Sequence, residues 1–166
     1  MLAQIVMSTL NETRPVLISG ATASGKSNLA LKIATELGGV IVNADALQVY
    51  GGWRILTARP NVEEESRAQH LLYGHIANQN VYSVGDWLRD IAPILKSGQR
   101  PIIVGGTGLY FRALTEGLAD IPRIPQHIKE QAKQFLRDGE VPFMLEALDN
   151  YTQSKIDIQN PVRVSR

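Results

Sequence analysis

The sequence contains no cysteine. That absence excludes a disulfide framework, a thiolate metal site and a cysteine nucleophile, and it suits a reducing compartment. Long apolar runs are missing too. Stretches such as Pro101-Ile-Ile-Val104 fall far below the ~18–20 residues that span a bilayer as a helix, and Met1–Leu10 lacks a basic leading region. A cytoplasmic protein with no membrane partner is expected. Charge of one sign is also scarce, since 17 Lys+Arg against 16 Asp+Glu leave a net +1. Such a balance argues against a large general nucleic-acid surface and leaves room for a local basic patch. What remains is the make-up of an ordinary globular chain, 166 residues with 44% hydrophobic content. At ~100–200 residues per domain, that length holds one compact domain, or one domain and a piece of another.

Residues 1–14 are polar and unpatterned and read as a flexible leader. Val16–Ser19 is a short apolar run entering a Gly-rich turn, and Lys26–Leu37 follows with Leu29, Ala30, Ile33, Ala34 and Leu37 at helical spacing. Val40–Val42 is continuously apolar, the pattern of a strand covered on both faces. Residues 60–80 are rich in turn formers and read as a long excursion with room for a short helix. Ser83–Lys96 places Val84, Trp87, Leu88, Ile91 and Leu95 on one helical face, with Pro93 as a potential kink. Pro101–Val104 is a third strand, and Leu109–Leu114 resumes a helical pattern. Gly117, Pro122 and Pro125 then mark a boundary, beyond which Gln126–Arg137 and Pro142–Asp149 read as two amphipathic helices. Strand–helix alternation followed by helices alone predicts an α/β fold, with a parallel sheet core flanked by helices and a helical appendage.

Gly20, Ala21, Thr22, Ala23, Ser24, Gly25, Lys26 and Ser27 satisfy the phosphate-loop pattern Gly-x-x-x-x-Gly-Lys-Ser/Thr, between a predicted strand and a predicted helix. In such a loop the backbone N–H groups and the positive helix end face an anion. Lys26 is placed to neutralise the outer phosphate and the Ser27 hydroxyl to ligate Mg²⁺. The loop does not say which phosphate compound is held. Guanine-reading Asn-Lys-x-Asp and switch Asp-x-x-Gly motifs are absent, and the third strand ends in Gly105-Gly106 where an ATPase usually carries an acid. Kinases and other phosphate-handling transferases remain.

Asp45 follows the second strand, at the edge where open parallel sheets bind ligands. Its carboxylate could hold Mg²⁺-bound water or accept a proton, the structural alternative being the cap of a short helix. Gly105-Gly-Thr-Gly108 repeats the strand–glycine–helix logic and brings the Thr107 hydroxyl to the same edge. His70 and His75, five residues apart and without a third ligand nearby, read as surface or hydrogen-bonded histidines rather than a metal pair. Trp53, Trp87 and Phe111 read as core rather than base-stacking platforms, and Glu63–Glu65 as a solvated face.

Together, Gly20–Ser27, Asn43-Ala-Asp-Ala-Leu-Gln-Val-Tyr50, Leu56-Thr-Ala-Arg-Pro60, His70, Tyr82-Ser-Val84, Pro101–Tyr110, Ala113–Gly117 and Asn160–Arg166 resemble the tRNA dimethylallyltransferase (tRNA isopentenyltransferase) family. The resemblance covers nearly everything after residue 15. It implies a P-loop-type core over residues 15–116 and part of an inserted helical tRNA-binding domain over 117–166. The implied reaction moves a dimethylallyl group from dimethylallyl diphosphate to N6 of the adenosine 3′ of the anticodon, in a cytoplasmic, monomeric enzyme acting on the anticodon stem-loop of tRNA. Gly20–Ser27 would then grip a diphosphate, with Lys26 and Mg²⁺ at Ser27 stabilising charge as C1–O breaks. Asp45 would accept the N6 proton and Thr107 would orient the adenosine. Asp45, Ala46, Leu47, Gln48 and Thr107, with Val162, Arg163, Val164, Ser165 and Arg166, match tRNA-contacting segments. The reacting base must leave its stack, so a channel to receive it is implied.

The family usually carries Pro at Ala21, Ser at Ala46, a basic residue at Gly51 and Gly at Leu56. Its pattern also continues past Arg166, so the 166 residues read as an N-terminal part, expected to be inactive alone. Two other classes compete. One is a P-loop small-molecule kinase or an adenylate isopentenyltransferase, although an Arg-rich lid is lacking outside Val162–Arg166. The other is a non-catalytic nucleotide- or tRNA-binding module.

Overall fold

The computed structural model describes residues 14–119 and 124–164. The chain divides into two compact units, residues 1–118 and 119–166. In the first, strands β1 (Val16–Ser19), β2 (Val40–Asn43), β3 (His70–Leu71) and β4 (Pro101–Gly105) form one sheet in the order β1-β4-β2-β3. Every pairing is parallel, with Ile18 opposite Val104 and Val42 opposite both Ile103 and Leu71. Helices α1 (Lys26–Leu37), α2 (Val62–Arg67), α3 (Val84–Leu95) and α4 (Gly108–Glu116) connect or follow the strands.

β2 and β4 are buried along their whole length because both sheet faces are covered. Alternate residues serve opposite layers, as the period of two in a strand requires. Ile41, Ile102 and Val104 pack with Val16 and with Ala30, Leu31, Ile33 and Ala34 of α1. Val40, Val42 and Ile103 pack instead with Trp87 and Ile91 of α3 and Tyr110 of α4. β1 borders the sheet on one side only, and its burial alternates.

α3 begins at a capping box, in which Ser83 and Asp86 satisfy each other's backbone N–H. Pro93 sits in its last turn, where the helix is already ending, so the helix runs unbroken to Leu95. The excursion over 60–80 holds more order than its composition suggests. Asn61 and Glu64 build a second capping box for α2, and the two-residue strand β3 extends the sheet beside β2. A strand that short carries no readable periodicity.

The second unit contains helices α5 (Gln126–Arg137), α6 (Val141–Glu146), α7 (Asn150–Lys155) and α8 (Pro161–Val164). The helix expected over Pro142–Asp149 is shorter, ending at Glu146, and a separate helix, α7, begins at Asn150. Asp149 leaves helical geometry and caps α7 by accepting the Thr152 N–H at 2.8 Å, which breaks the pattern after α6. Phe135 and Phe143 meet with ring centroids 5.3 Å apart, and Gln153 Nε2 donates to the carbonyls of Leu145 and Leu148. Val164 is the one buried hydrophobic residue described in this unit. No helix among the described residues is long and apolar enough to cross a membrane.

Candidate active site

The carboxyl ends of β1, β2 and β4 carry three loops, and the expected residues of the first unit lie on them. The loop Gly20–Ser27 leaves β1 and enters α1 through Gly25, whose φ of 83° is a conformation that glycine takes without strain. Most of the loop is solvent-exposed. Within it Ser24 N–H donates to the Ala21 carbonyl at 3.3 Å, and the Lys26 ammonium folds back onto the same carbonyl at 3.0 Å. Gly25, Lys26, Ser27 and Asn28 line an open cavity together with Ala58, so the turn before Pro60 borders the loop.

Asp45 lies just beyond β2. Its Oδ1 accepts the Leu47 N–H at 2.9 Å, closing a local turn over Ala46–Val49. Its Oδ2 accepts no hydrogen bond from a described residue. The backbone of Gly106 runs beside it. A Cβ on Gly106 would stand 3.6 Å from Asp45 Oδ2 and 3.4 Å from the Gly20 carbonyl, which brings the start of the phosphate loop and the carboxylate close to one glycine. Gly105 is tighter still, since a Cβ there would fall 2.1 Å from the Ala44 carbonyl. No side chain fits.

Thr107 Oγ1 accepts the Ala46 N–H at 3.0 Å, while its own N–H donates to the Ala44 carbonyl at 3.3 Å. The hydroxyl proton makes no hydrogen bond to a described residue and is free for another acceptor. Gln48 is engaged with the next turn, its Nε2 donating to the carbonyls of Thr57 and Ala58 at 2.8 and 3.1 Å. It fixes the turn that borders the phosphate loop. Two phenols also belong to this region. Burial, and then the negative charges of Asp45 and Glu64, raise the Tyr73 hydroxyl above its ordinary range. Burial, with Tyr50, Asp45 and Asp86 adding, pushes Tyr110 up to about 12. Both stay protonated at neutral pH.

Other expectations resolve differently. Trp87 is buried and stacks on Tyr110 at 4.7 Å, and Phe111 packs at the edge of the same cluster. Trp53 is 61% exposed, contrary to its reading as core, because its turn (residues 53–58) is held by its own backbone and by Gln48 rather than by burial. His70 Nδ1 bonds the Ala68 carbonyl, and His75 Nε2 lies 3.4 Å from both Tyr82 Oη and Asp90 Oδ2. No group of three potential metal-binding His, Asp or Glu side chains occurs among the described residues. Glu63 stays exposed, but Glu64 caps α2 and Glu65 pairs with Arg54, so only part of that run is a solvated face. In the second unit, Val162, Arg163 and Val164 lie on α8, with Val164 buried. Ser165 and Arg166 lie outside the described residues.

A family model described as IPP transferase matches residues 48–166, and one described as isopentenyl transferase matches residues 14–81. This chain belongs to the IPP transferase family. It is 57% identical over 163 residues to the tRNA dimethylallyltransferase of Dinoroseobacter shibae, covering 96% of this chain and 54% of that protein. It is 56% identical over 153 residues to that of a Ruegeria species, covering 92% and 52%. The chain thus spans about half the length of these curated relatives. Among solved structures, the full-length tRNA isopentenylpyrophosphate transferase from Bacillus halodurans matches with TM-score 0.62 at 28% identity, covering 93% of this chain and 54% of that one. A eukaryotic dimethylallyltransferase acting on tRNA shares the fold with TM-score 0.74 at 22% identity, covering 93% and 40%.

The positions where the sequence resemblance implies another residue each have a definable place. Ala21 contributes through its carbonyl, and Ala46 through its N–H to Thr107. A Cβ on Gly51 would stand 3.2 Å from the Gly74 carbonyl, so a side chain there requires a local shift. Leu56 is exposed and meets no such restriction. Asn43, quoted in the motif for its neighbours alone, is a buried polar residue bonded to Asp45 on both sides. A polar residue ending a fully apolar strand was the signal for it.

Proposed function

We propose that this chain carries the diphosphate grip and the proton acceptor of a tRNA dimethylallyltransferase. The observation that supports this best is the placement of Asp45, with Oδ1 held by Leu47 N–H and Oδ2 open, beside Gly106 and the start of the phosphate loop. A carboxylate beside an anion cradle suits a reaction that releases diphosphate and a proton together. In it the C1–O bond of dimethylallyl diphosphate breaks, N6 of adenosine forms the new bond to C1, and Asp45 takes the N6 proton. The loop amides and Lys26 stabilise the charge gathering on the leaving diphosphate. Lys26 swings from the Ala21 carbonyl to phosphate for this, a neutral acceptor exchanged for a charged one.

The residues fit Mg²⁺ as well. A hard cation bound chiefly by substrate phosphates and water needs only one or two protein oxygens, and Ser27 supplies a hydroxyl at the start of α1. When bound, the ion would add positive charge beside the diphosphate. Thr107, with a free hydroxyl proton at the same edge, orients the adenosine. Asp45–Gln48 and Val162–Arg166 form the tRNA-contacting segments, the latter within a helical insertion over residues 117–166. All these groups come from one chain, so the reading needs no second copy and takes the protein as a monomer. A tRNA substrate and a cysteine-free sequence suit a cytoplasmic location.

The test is transfer of a labelled dimethylallyl group from its diphosphate to an anticodon stem-loop by the protein expressed from its complete reading frame. Label on the adenosine N6 is the expected result. No transfer, with ATP-dependent phosphorylation of a small molecule instead, would overturn the reading in favour of a kinase.

A further inference from the structure

The reading of Asp45 as proton acceptor leaves open what aims it, and the least exposed polar residue among the described residues lies two positions earlier. Asn43 has no solvent-exposed surface. Its Oδ1 accepts the Asp45 N–H at 2.9 Å, and its Nδ2 donates to the Asp45 carbonyl at 2.9 Å. One amide therefore clamps both backbone groups of Asp45. The remaining Nδ2 proton goes to the Leu72 carbonyl at 3.1 Å, just past β3. Leu72 has a φ of 61°, a left-handed conformation that is costly for a branched side chain and persists only where its surroundings impose it. The main-chain carbonyl of Asn43 is fixed in turn by Trp87 Nε1 at 2.7 Å, from within α3.

We infer that Asn43 is a positioning residue for the transfer reaction, setting the orientation of the Asp45 carboxylate by gripping its backbone and tying it to the constrained turn at Leu72. This rests on the reading of Asp45 given above. The side chain of Asn43 is too deeply enclosed to touch substrate, so its effect must pass through Asp45. A grip of this kind matters because misplacement of a reacting group by about 1 Å is enough to cost about a hundredfold in rate. The bond from Trp87 engages the main chain of residue 43 and does not depend on its side chain. It therefore provides an independent report on whether the site has kept its fold.

The experiment compares Asn43→Ala, Asn43→Ser and Asp45→Asn in the protein expressed from its complete reading frame, by single-turnover prenyl transfer to an anticodon stem-loop. A Trp53→Phe background removes the other tryptophan of these 166 residues, and a Trp53→Phe/Trp87→Phe control isolates the Trp87 emission by difference. Asn43→Ala is expected to slow the chemical step about 10- to 100-fold. KM for both substrates should stay within about threefold, the signature of a loss confined to the transition state. Trp87 emission should stay that of a buried indole. Asn43→Ser should recover part of the rate, because a serine hydroxyl accepts the N–H two residues on, though more weakly than an asparagine carbonyl. A parental rate in Asn43→Ala, with Asp45→Asn inactive, would overturn the positioning role and leave the base assignment standing. Equal losses in Ala and Ser with red-shifted Trp87 emission would also overturn it, in favour of a structural role. A parental rate in Asp45→Asn would remove the base assignment and this inference with it.

Discussion

The two loops that meet at Gly106 are built in opposite ways. The phosphate loop is exposed, and within it the Ala21 carbonyl takes both internal bonds, from Ser24 and Lys26. The segment Asn43–Gln48 is tied internally by Asn43 and pinned from three directions, by Thr107, Trp87 and Leu72 past β3, before any ligand arrives. An anion cradle must keep its amide protons unspent, because these are what it offers the ligand. A general base gains from the reverse arrangement, since its aim must already be set when the proton leaves. On the proposed reading, one loop is completed by its substrate and the other is finished in advance.

The sharpest way to break that contrast is to remove the proposed base and keep its scaffold. Asp45→Asn retains an acceptor for the Leu47 N–H, so the turn should survive while proton acceptance is lost. Turnover is expected to fall about 10²–10⁴-fold, the usual share of a positioned general base, with stem-loop binding unchanged in a filter or anisotropy assay. Next in size is the cradle. Lys26→Met keeps the length of the side chain and removes its charge, and should cost about 10²–10³-fold in transfer rate. Unlike the Asp45 change, it should also weaken binding of inorganic diphosphate, which isothermal titration would read directly.

Much of this arrangement was legible in the sequence, for physical reasons that differ by element. β2 and β4 lie between two layers, and that burial writes itself as uninterrupted apolar runs. The phosphate-loop pattern is legible because it restricts residue type at fixed spacing. β3 left no trace, since two residues held by their neighbour's register have no pattern of their own. Trp53 misled because an aromatic residue carries no mark of whether its turn faces the core. The role of Asn43 was hidden for a further reason: its partners include Leu72, 29 residues away, and Trp87, 44 residues away. Such pairings exist only once the parallel sheet and α3 are in place.

A smaller effect should follow from crowding the boundary between the loops. Gly105→Ala puts a methyl group into the backbone of Ala44, where only displacement can relieve the contact. The expected destabilisation is about 1–3 kcal/mol, the range for forced overpacking, read as a lower denaturation midpoint. The displaced backbone carries Ala44, whose carbonyl bonds Thr107 N–H, so activity should fall by more than the lost folded fraction explains.

The smallest effect lies away from both loops, at the start of α3, the helix that delivers Trp87 to Asn43. Hydrogen bonds from the Ser83 hydroxyl and backbone, with a further contribution from Arg89, lower the pKa of Asp86 below the ordinary aspartate value. A folded-state pKa below the unfolded one means that the unfolded chain binds the proton more readily. The cap therefore contributes its full stability above the unfolded value, about pH 4, and loses it as pH falls through the lower folded value. Ser83→Ala removes the largest cause of the shift and should bring the Asp86 pKa back toward the ordinary value, as followed by carboxyl-detected NMR. Stability at neutral pH should fall by about 0.5–2 kcal/mol, and the difference between variant and parent should shrink as both are acidified below pH 4. A constant difference down to the lowest pH would mean that the Ser83 hydroxyl acts only as acceptor of the Asp86 N–H and that its bond to the Asp86 carboxylate contributes nothing to the start of α3.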